Sequence, residues 1–275
     1  MSSDGNDRTG ESDGEHALAK ILGPTPPPIM VTHPGRQEIK PLPKRFYTNA
    51  AAGPEAAGGF PILLDGRSAK TPRRSVLQLP TLALGQAVAA EWQAQTQQIN
   101  PALMPLTRLA NTAIDGVTGR ETDVRVDIVE YSGSDLVCYR AESPEALVRR
   151  QAERWDPVLA WAQDRLGVAL RTASGLMPVK QPPTVATAFA GAIQPLEAFQ
   201  LTGLHVMTTL MGSAMLALAV LEGHLTADAA WTAAHVDEDW QIAQWGGDAE
   251  AETRRARRWT EMSAASRMLQ LSAKV

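Results

Sequence analysis

The chain has 275 residues, 44% hydrophobic and 20% charged, with a net charge of -4; this is a globular composition, long enough for a sizeable core in one or two domains. The negative balance gives no support to a general nucleic-acid binder, and a single cysteine, Cys138, rules out an intramolecular disulfide and fits a reducing compartment. The most apolar stretch, 207–221 (MTTLMGSAMLALAVL), has about 15 residues against the roughly 20 of a membrane span and carries Thr208, Thr209 and Ser213, so it reads as a buried core helix with no membrane insertion.

Residues 1–35 are polar and then proline-rich (Pro24, Pro26, Pro27, Pro28). Such a stretch buries too little apolar surface to offset its ordering entropy, and a flexible tail is expected. It lacks the basic start and apolar run of a secretory signal, and its acidic character is the wrong sign for a mitochondrial transit peptide. A bacterial, cytoplasmic location is the expectation.

Order is expected from near Lys44. RFYTNAA starts as a strand, and FPILLDGRSAKTP reads as a hairpin: Phe60, Ile62 and Leu64 alternate, and Asp65-Gly66 is a strong turn signal. VLQLP (76–80) is a third short strand. Thr81 then caps a helix over 82–98, with Leu84, Val88, Trp92, Gln95 and Ile99 on one face. Pro101 and Pro105 break the chain before RLANTAIDGV (108–117). The span 36–117 is therefore expected to form a small mixed, β-rich domain.

From residue 118 the pattern is mainly helical, and 118–275 is expected to form a second, α-helical domain; the fold class is α+β. Val117, Glu121, Val124, Ile128 and Tyr131 mark one helix. Val148, Ala152, Trp155, Leu159, Ala162 and Leu166 mark another, which Asp156-Pro157 kinks or splits. LVCYR (136–140) and VALRTA (168–173) are candidate flanking strands. Residues 195–222, 226–246 and 248–272 complete the chain as three helices.

Chemistry is sparse along this chain. The five histidines are scattered, and Cys138 lies in an apolar stretch where an inert thiol is the default. His235 and Glu238 share a helix face, but two ligands do not make a metal site. No nucleophile elbow and no glycine-rich phosphate loop occurs. The basic residues of the first part (Arg36, Lys40, Lys44, Arg45, Arg67, Lys70, Arg73, Arg74) have few interleaved aromatics, so a solvated basic face is favoured over a nucleic-acid site. The RRARR run at 254–258 follows Asp248, Glu250 and Glu252, which suits an exposed, salt-bridged helix face with pairs such as Glu250 and Arg254.

One segment departs from the core pattern. In the helix expected over 226–246, Trp231, His235, Glu238, Ile242 and Trp245 step by fours and threes and so share a face. Glu238 lies in the middle of that aromatic stripe; Asp237 and Asp239 point elsewhere, and Trp240 joins Val236 on a second face. Three readings of Glu238 stay open. It is a half-buried carboxylate held by a cation from another helix, an anchor for another polypeptide among indoles that suit binding hot spots, or one of an acid–base pair with Asp237. The last would make the chain a carboxylate-dependent hydrolase, but adjacent helical residues diverge by about 100° and cannot readily flank one bond.

The segments LLDGRSAKTP (63–72), AAEWQAQTQQINPALMPLTRLANTAID (89–115), YSGSDLVCYRA (131–141), RWDPVLAWAQDRLG (154–167) and DEDWQIAQWG (237–246) together resemble the assembly chaperone family for the ATP synthase alpha subunit, of the F-type ATPase assembly factor 2 kind. The resemblance runs from about Arg45 to Leu271, and the acidic N-terminus favours its alphaproteobacterial branch over the mitochondrial-matrix relatives. It implies transient binding of the unassembled alpha subunit, shielding of the surface that the beta subunit later covers, and neither enzymatic activity nor a cofactor. The acidic helix of the family maps onto Asp237, Glu238, Asp239 and Trp240, with Glu238 the expected functional carboxylate and Trp231 and Trp245 as flanking contacts. Glu91 and Trp92 also fall in matching stretches, Trp92 as core rather than contact. A monomer that binds no nucleic acid is expected.

Overall fold

The computed structural model describes residues 41–56, 58–175 and 179–273; the expected flexible tail over 1–35 lies outside them. The hairpin forms where the turn chemistry puts it: β1 (Ala50–Ala52), β2 (Phe60–Leu64) and β3 (Arg67–Ser68) are antiparallel neighbours. Asp65 and Gly66 both take positive φ, 46° and 79°, which matches the right-handed strand twist in a two-residue hairpin. The Asp65 carboxylate also accepts the Thr48 and Asn49 N–H groups, and these bonds hold its pKa below the ordinary value. Strand β4 (Gln78–Leu79) pairs with the start of β2. Ile62, Leu64, Leu77 and Leu79 are buried on the inner face.

Helix α1 (Leu82–Gln93) begins where Thr81 caps it, its hydroxyl accepting the Leu84 N–H. It is shorter than the periodicity predicts. Residues 97–99 are extended and pair with 43–45, through Arg45 N–H to Gln97 O and Ile99 N–H to Pro43 O. A long-range pairing thus takes residues whose local pattern also suits a helix. Arg45 reinforces the junction by donating to the carbonyls of Tyr47, Thr48 and Gln95. Beyond a 3-10 turn, α2 (Pro105–Thr112) carries proline at its first turn, and Glu91 supplies the missing cap. Its carboxylate accepts the Leu106 and Thr107 N–H groups and the Thr107 hydroxyl. A π-helical turn over Ala113–Val117 follows, and its Asp115 accepts the Thr71 hydroxyl and the Arg73 N–H.

The remaining elements are α3 (Glu121–Tyr131), β5 (Tyr139–Arg140), α4 (Glu145–Leu166), β6 (Ala173–Ser174), α5 (Pro183–Ile193), α6 (Ala198–Met211), α7 (Ala214–Leu221), α8 (Ala227–Ala234), α9 (Val236–Trp245) and α10 (Ala249–Ser272). The small strand-bearing region therefore precedes a mainly helical one, and contacts group Pro43–Val275 as one compact unit. Helix α10 packs along α6 and also reaches α1 and α2. Gly203 makes the first approach possible, since a Cβ there would lie 2.9 Å from the Ala265 carbonyl oxygen.

Four expectations need correction. The two candidate strands flanking α4 shrink to a two-residue parallel pair, β5 with β6, because Asp135 instead caps a 3-10 turn over Leu136–Cys138. Pro157 neither splits nor ends α4, which runs through it as one helix. The position faces solvent, so the carbonyl that loses its partner can bond water, while Trp155 and Val158 hold the inner face. The single helix expected over 195–222 is broken at Gly212, left-handed at φ 65°, and Ser213 caps α7. The helix expected over 226–246 is also two, as described below. Helix α5 buries an apolar line of Val185, Phe189 and Ile193, over residues to which no expected element corresponds.

The α6–α7 break is held by a fully buried carboxylate. Asp135 accepts the Met215 and Val137 N–H groups, and burial raises its pKa from 3.8 to about 6. A folded-state pKa above the unfolded one means that the native state binds more protons between them. The stabilisation is then complete below pH 3.8 and is lost as pH rises through about 6. Denaturant unfolding at pH 4 and pH 7 should show wild type losing stability relative to Asp135→Asn by about 2 kcal/mol over that interval; a constant difference would contradict this account.

Candidate partner-binding site

The acidic segment sits at a corner between two helices. Thr226 caps α8 through its hydroxyl, and α8 buries Ala230, Trp231 and Ala233. His235 then leaves helical geometry at φ -113° and ψ 24°, although its carbonyl still accepts the Asp239 N–H at 2.8 Å. The stripe predicted on one continuous helix is therefore divided. Trp231 lies buried under the corner, whereas Trp245, at the far end of α9, is 79% exposed. Trp240 and Ile242 are half-buried, and Val236 turns fully inward.

Asp237, Glu238 and Asp239 occupy the first turn of α9, where negative charge suits the helix dipole. Their side chains have different fates. Asp237 accepts the Gln151 amide at 2.7 Å. Gln151 is buried on α4 and is itself held by the Ala141 N–H. Asp239 forms an ion pair with Arg255 of α10. Glu238 lies 3.7 Å from His235 Nε2 and in the field of Arg255, makes no hydrogen bond among the described residues, and has a side chain 41% exposed.

The imidazole cannot satisfy that carboxylate. Burial lowers the His235 pKa, with the guanidiniums of Arg255 and Arg258 adding to the effect against the Trp231 carbonyl and Glu238. The ring is thus neutral near pH 7. Its Nδ1 lies 2.8 Å from the Trp231 carbonyl oxygen, an acceptor, so Nδ1 carries the proton and Nε2 presents a lone pair toward Glu238. Of the three adjacent carboxylates, Glu238 is the one left without a donor among the described residues.

Supports that sequence reasoning missed come from α4 and α10. Trp155 is fully buried and donates its indole N–H to the Ala233 carbonyl at 2.7 Å, and the Arg140 guanidinium lies 5.1 Å from its ring centroid. The buried line of α4 is Gln151, Trp155, Val158 and Ala162, which keeps Trp155 and Ala162 of the predicted stripe and takes Gln151 and Val158 in place of Ala152 and Leu159. Within RRARR, Arg254 pairs with Glu250 as its spacing suggests. Arg255 instead reaches α9, and Arg258 donates to the Leu210 carbonyl near the end of α6. Nothing in local spacing announces those long-range partners. Trp92 is half-buried against Tyr47, whose hydroxyl donates to the Trp92 carbonyl. Among the described residues no three His, Cys, Asp or Glu side chains gather as a metal would need, and no helix is long and apolar enough to cross a membrane.

A family model described as ATP12 chaperone protein matches residues 44–163. The chain is 42% identical to Atp12 from Paracoccus denitrificans, with a TM-score of 0.80, over 84% of this chain and 99% of that one. A mutant of the Paracoccus protein matches with the same identity and TM-score, with 98% of its chain covered. The Atu1473 protein of Agrobacterium tumefaciens, a candidate chaperone, is 43% identical with a TM-score of 0.81, over 94% of this chain and 96% of that one.

Proposed function

The chain belongs to the ATP12 chaperone family, and on that premise we propose that it binds the free alpha subunit of the F-type ATP synthase catalytic sector. It shields the beta-facing interface of that subunit during assembly, working as a monomer in the bacterial cytoplasm. An unassembled subunit exposes an apolar interface that aggregates, and a reversible cover suppresses this. The observation that carries the reading to a site is Glu238, a carboxylate at the helix corner with no donor among the described residues. An exposed Trp245 lies on the same helix.

The residues proposed to touch the client are Asp237, Glu238, Asp239, Trp240, Trp231 and Trp245, in unequal roles. Glu238, Trp240 and Trp245 present accessible surface, while Asp237, Asp239 and Trp231 hold the corner in shape. A hydrolase centred on Glu238 finds no comparable support, because the two neighbouring carboxylates are engaged by Gln151 and Arg255. The test is direct. Purified protein mixed with isolated alpha subunit should form a complex on gel filtration and suppress the subunit's light scattering on warming, and should not remain on assembled catalytic sector. Failure of wild-type protein to co-elute with the isolated subunit would overturn the proposal.

A further inference from the structure

Beside the Glu238 corner, α8 and α10 border a shallow, open cleft of about 360 Å³, lined by Asp228, Trp231, Glu252, Arg255, Ala256 and Trp259. Its aromatic part is continuous. The Trp231 and Trp259 ring centroids lie 5.6 Å apart, and the His235 ring centroid lies 3.9 Å from that of Trp231. Its rim is acidic, and both Asp228 and Glu252 are exposed. Arg255 contributes the one positive charge of the lining, and that charge is already engaged by Asp239 and lies in the field of Glu238. Within the cleft and its border, Asp228, Glu238, Asp239 and Glu252 therefore stand against Arg255, with Arg258 nearby on the His235 side.

Trp231 is 7% exposed, and its indole N–H, with no acceptor among the described residues, is open to solvent. An aromatic-lined cleft with an acidic rim attracts a cation by charge and by the ring faces together. An idle N–H donor beside it suits a carbonyl oxygen. A backbone bearing a cationic side chain offers both groups at once, which a free metal ion or amine does not.

We propose that this cleft takes an arginine or lysine side chain of the polypeptide partner, stacked against Trp259 between Asp228 and Glu252, with a partner carbonyl accepting the Trp231 N–H at the cleft's edge. The inference rests on the chaperone reading above for the partner's identity only. It adds a specific pocket next to Glu238 and assigns the class of side chain that enters it.

The probe is the end-blocked tripeptide Ala-Arg-Ala, with citrulline in place of arginine as the neutral control, titrated into full-length protein carrying nitrogen-15 in its indoles. The arginine peptide should move the Trp231 and Trp259 indole signals saturably, and the citrulline peptide should not. The double variant Asp228→Asn, Glu252→Gln changes two exposed side chains and should lose the response while keeping the unperturbed spectrum. The same variant should bind isolated alpha subunit roughly tenfold more weakly than wild type. Equal shifts with both peptides, or an unaltered arginine response in the double variant, would overturn the cleft assignment. If wild type binds the peptide but no alpha subunit, the cleft stands and the client is wrong. If wild type and double variant bind alpha subunit equally, the client stands and the cleft is not its contact.

Discussion

Glu238→Lys is expected to weaken binding of isolated alpha subunit by about thirtyfold or more while leaving the protein folded. The magnitude follows from reversing one member of a charge contact across an interface, where loss of a partner costs about 2–5 kcal/mol. The fold should tolerate the change because the side chain is partly exposed and holds no other element in place. The intramolecular cost is the favourable position of a carboxylate in the first turn of α9, about 0.3–1 kcal/mol. The new ammonium would meet the lone pair of His235 Nε2 but also the nearby charge of Arg255. Calorimetric titration against alpha subunit, beside thermal unfolding of the variant, separates the two effects. Glu238→Gln should fall between wild type and lysine, since it removes charge without reversing it. Wild-type affinity in Glu238→Lys would remove Glu238 from the interface.

Trp155→Ala is expected to cost about 3–5 kcal/mol in stability and to disable binding from a distance. The large term is the cavity left by a fully buried indole. Two further losses add to it: the Ala233 carbonyl is left without its donor, and Arg140 loses the ring face beneath its guanidinium. Ala233 lies two residues before His235, so the same bond that anchors α8 to α4 also sets the corner from which Glu238 projects. Trp155→Phe keeps most of the volume and loses the N–H, and should cost about 1–2 kcal/mol. Denaturant unfolding of the pair measures both terms. A loss below about 1 kcal/mol for the alanine variant would show that the corner is held by other contacts.

Local pattern and structure part company in three places. Residues 97–99 have helical periodicity, yet 43–45 offers them a strand partner, and pairing prevails. Pro157 reads as a kink or a new helix start, and α4 runs through it as one helix with Trp155 and Val158 on its buried side. His235 continues an uninterrupted spacing, yet its ring is drawn onto Trp231 and its backbone leaves the helix. At 97–99 a contact distant in sequence outweighs a local preference worth a few tenths of a kcal/mol per residue. At the Asp65-Gly66 turn and the Thr81 cap the local signal holds.

The acidic DEDW run, the tryptophans around it, the hairpin and the mainly helical second part were all legible in the amino-acid order. They rest on turn chemistry, capping and periodicity, which act over a few residues and need no knowledge of the rest of the chain. Only the tertiary structure decided which of three adjacent carboxylates remains available. Asp237 is taken by Gln151, 86 positions away, Asp239 by Arg255 on the following helix, and the tautomer of His235 denies Glu238 a donor. Likewise Trp231 and Trp245, equivalent by spacing, became one buried support and one exposed contact because the chain bends between them. A charge or an indole gains its role from what packs against it, and that is a property of the assembled fold.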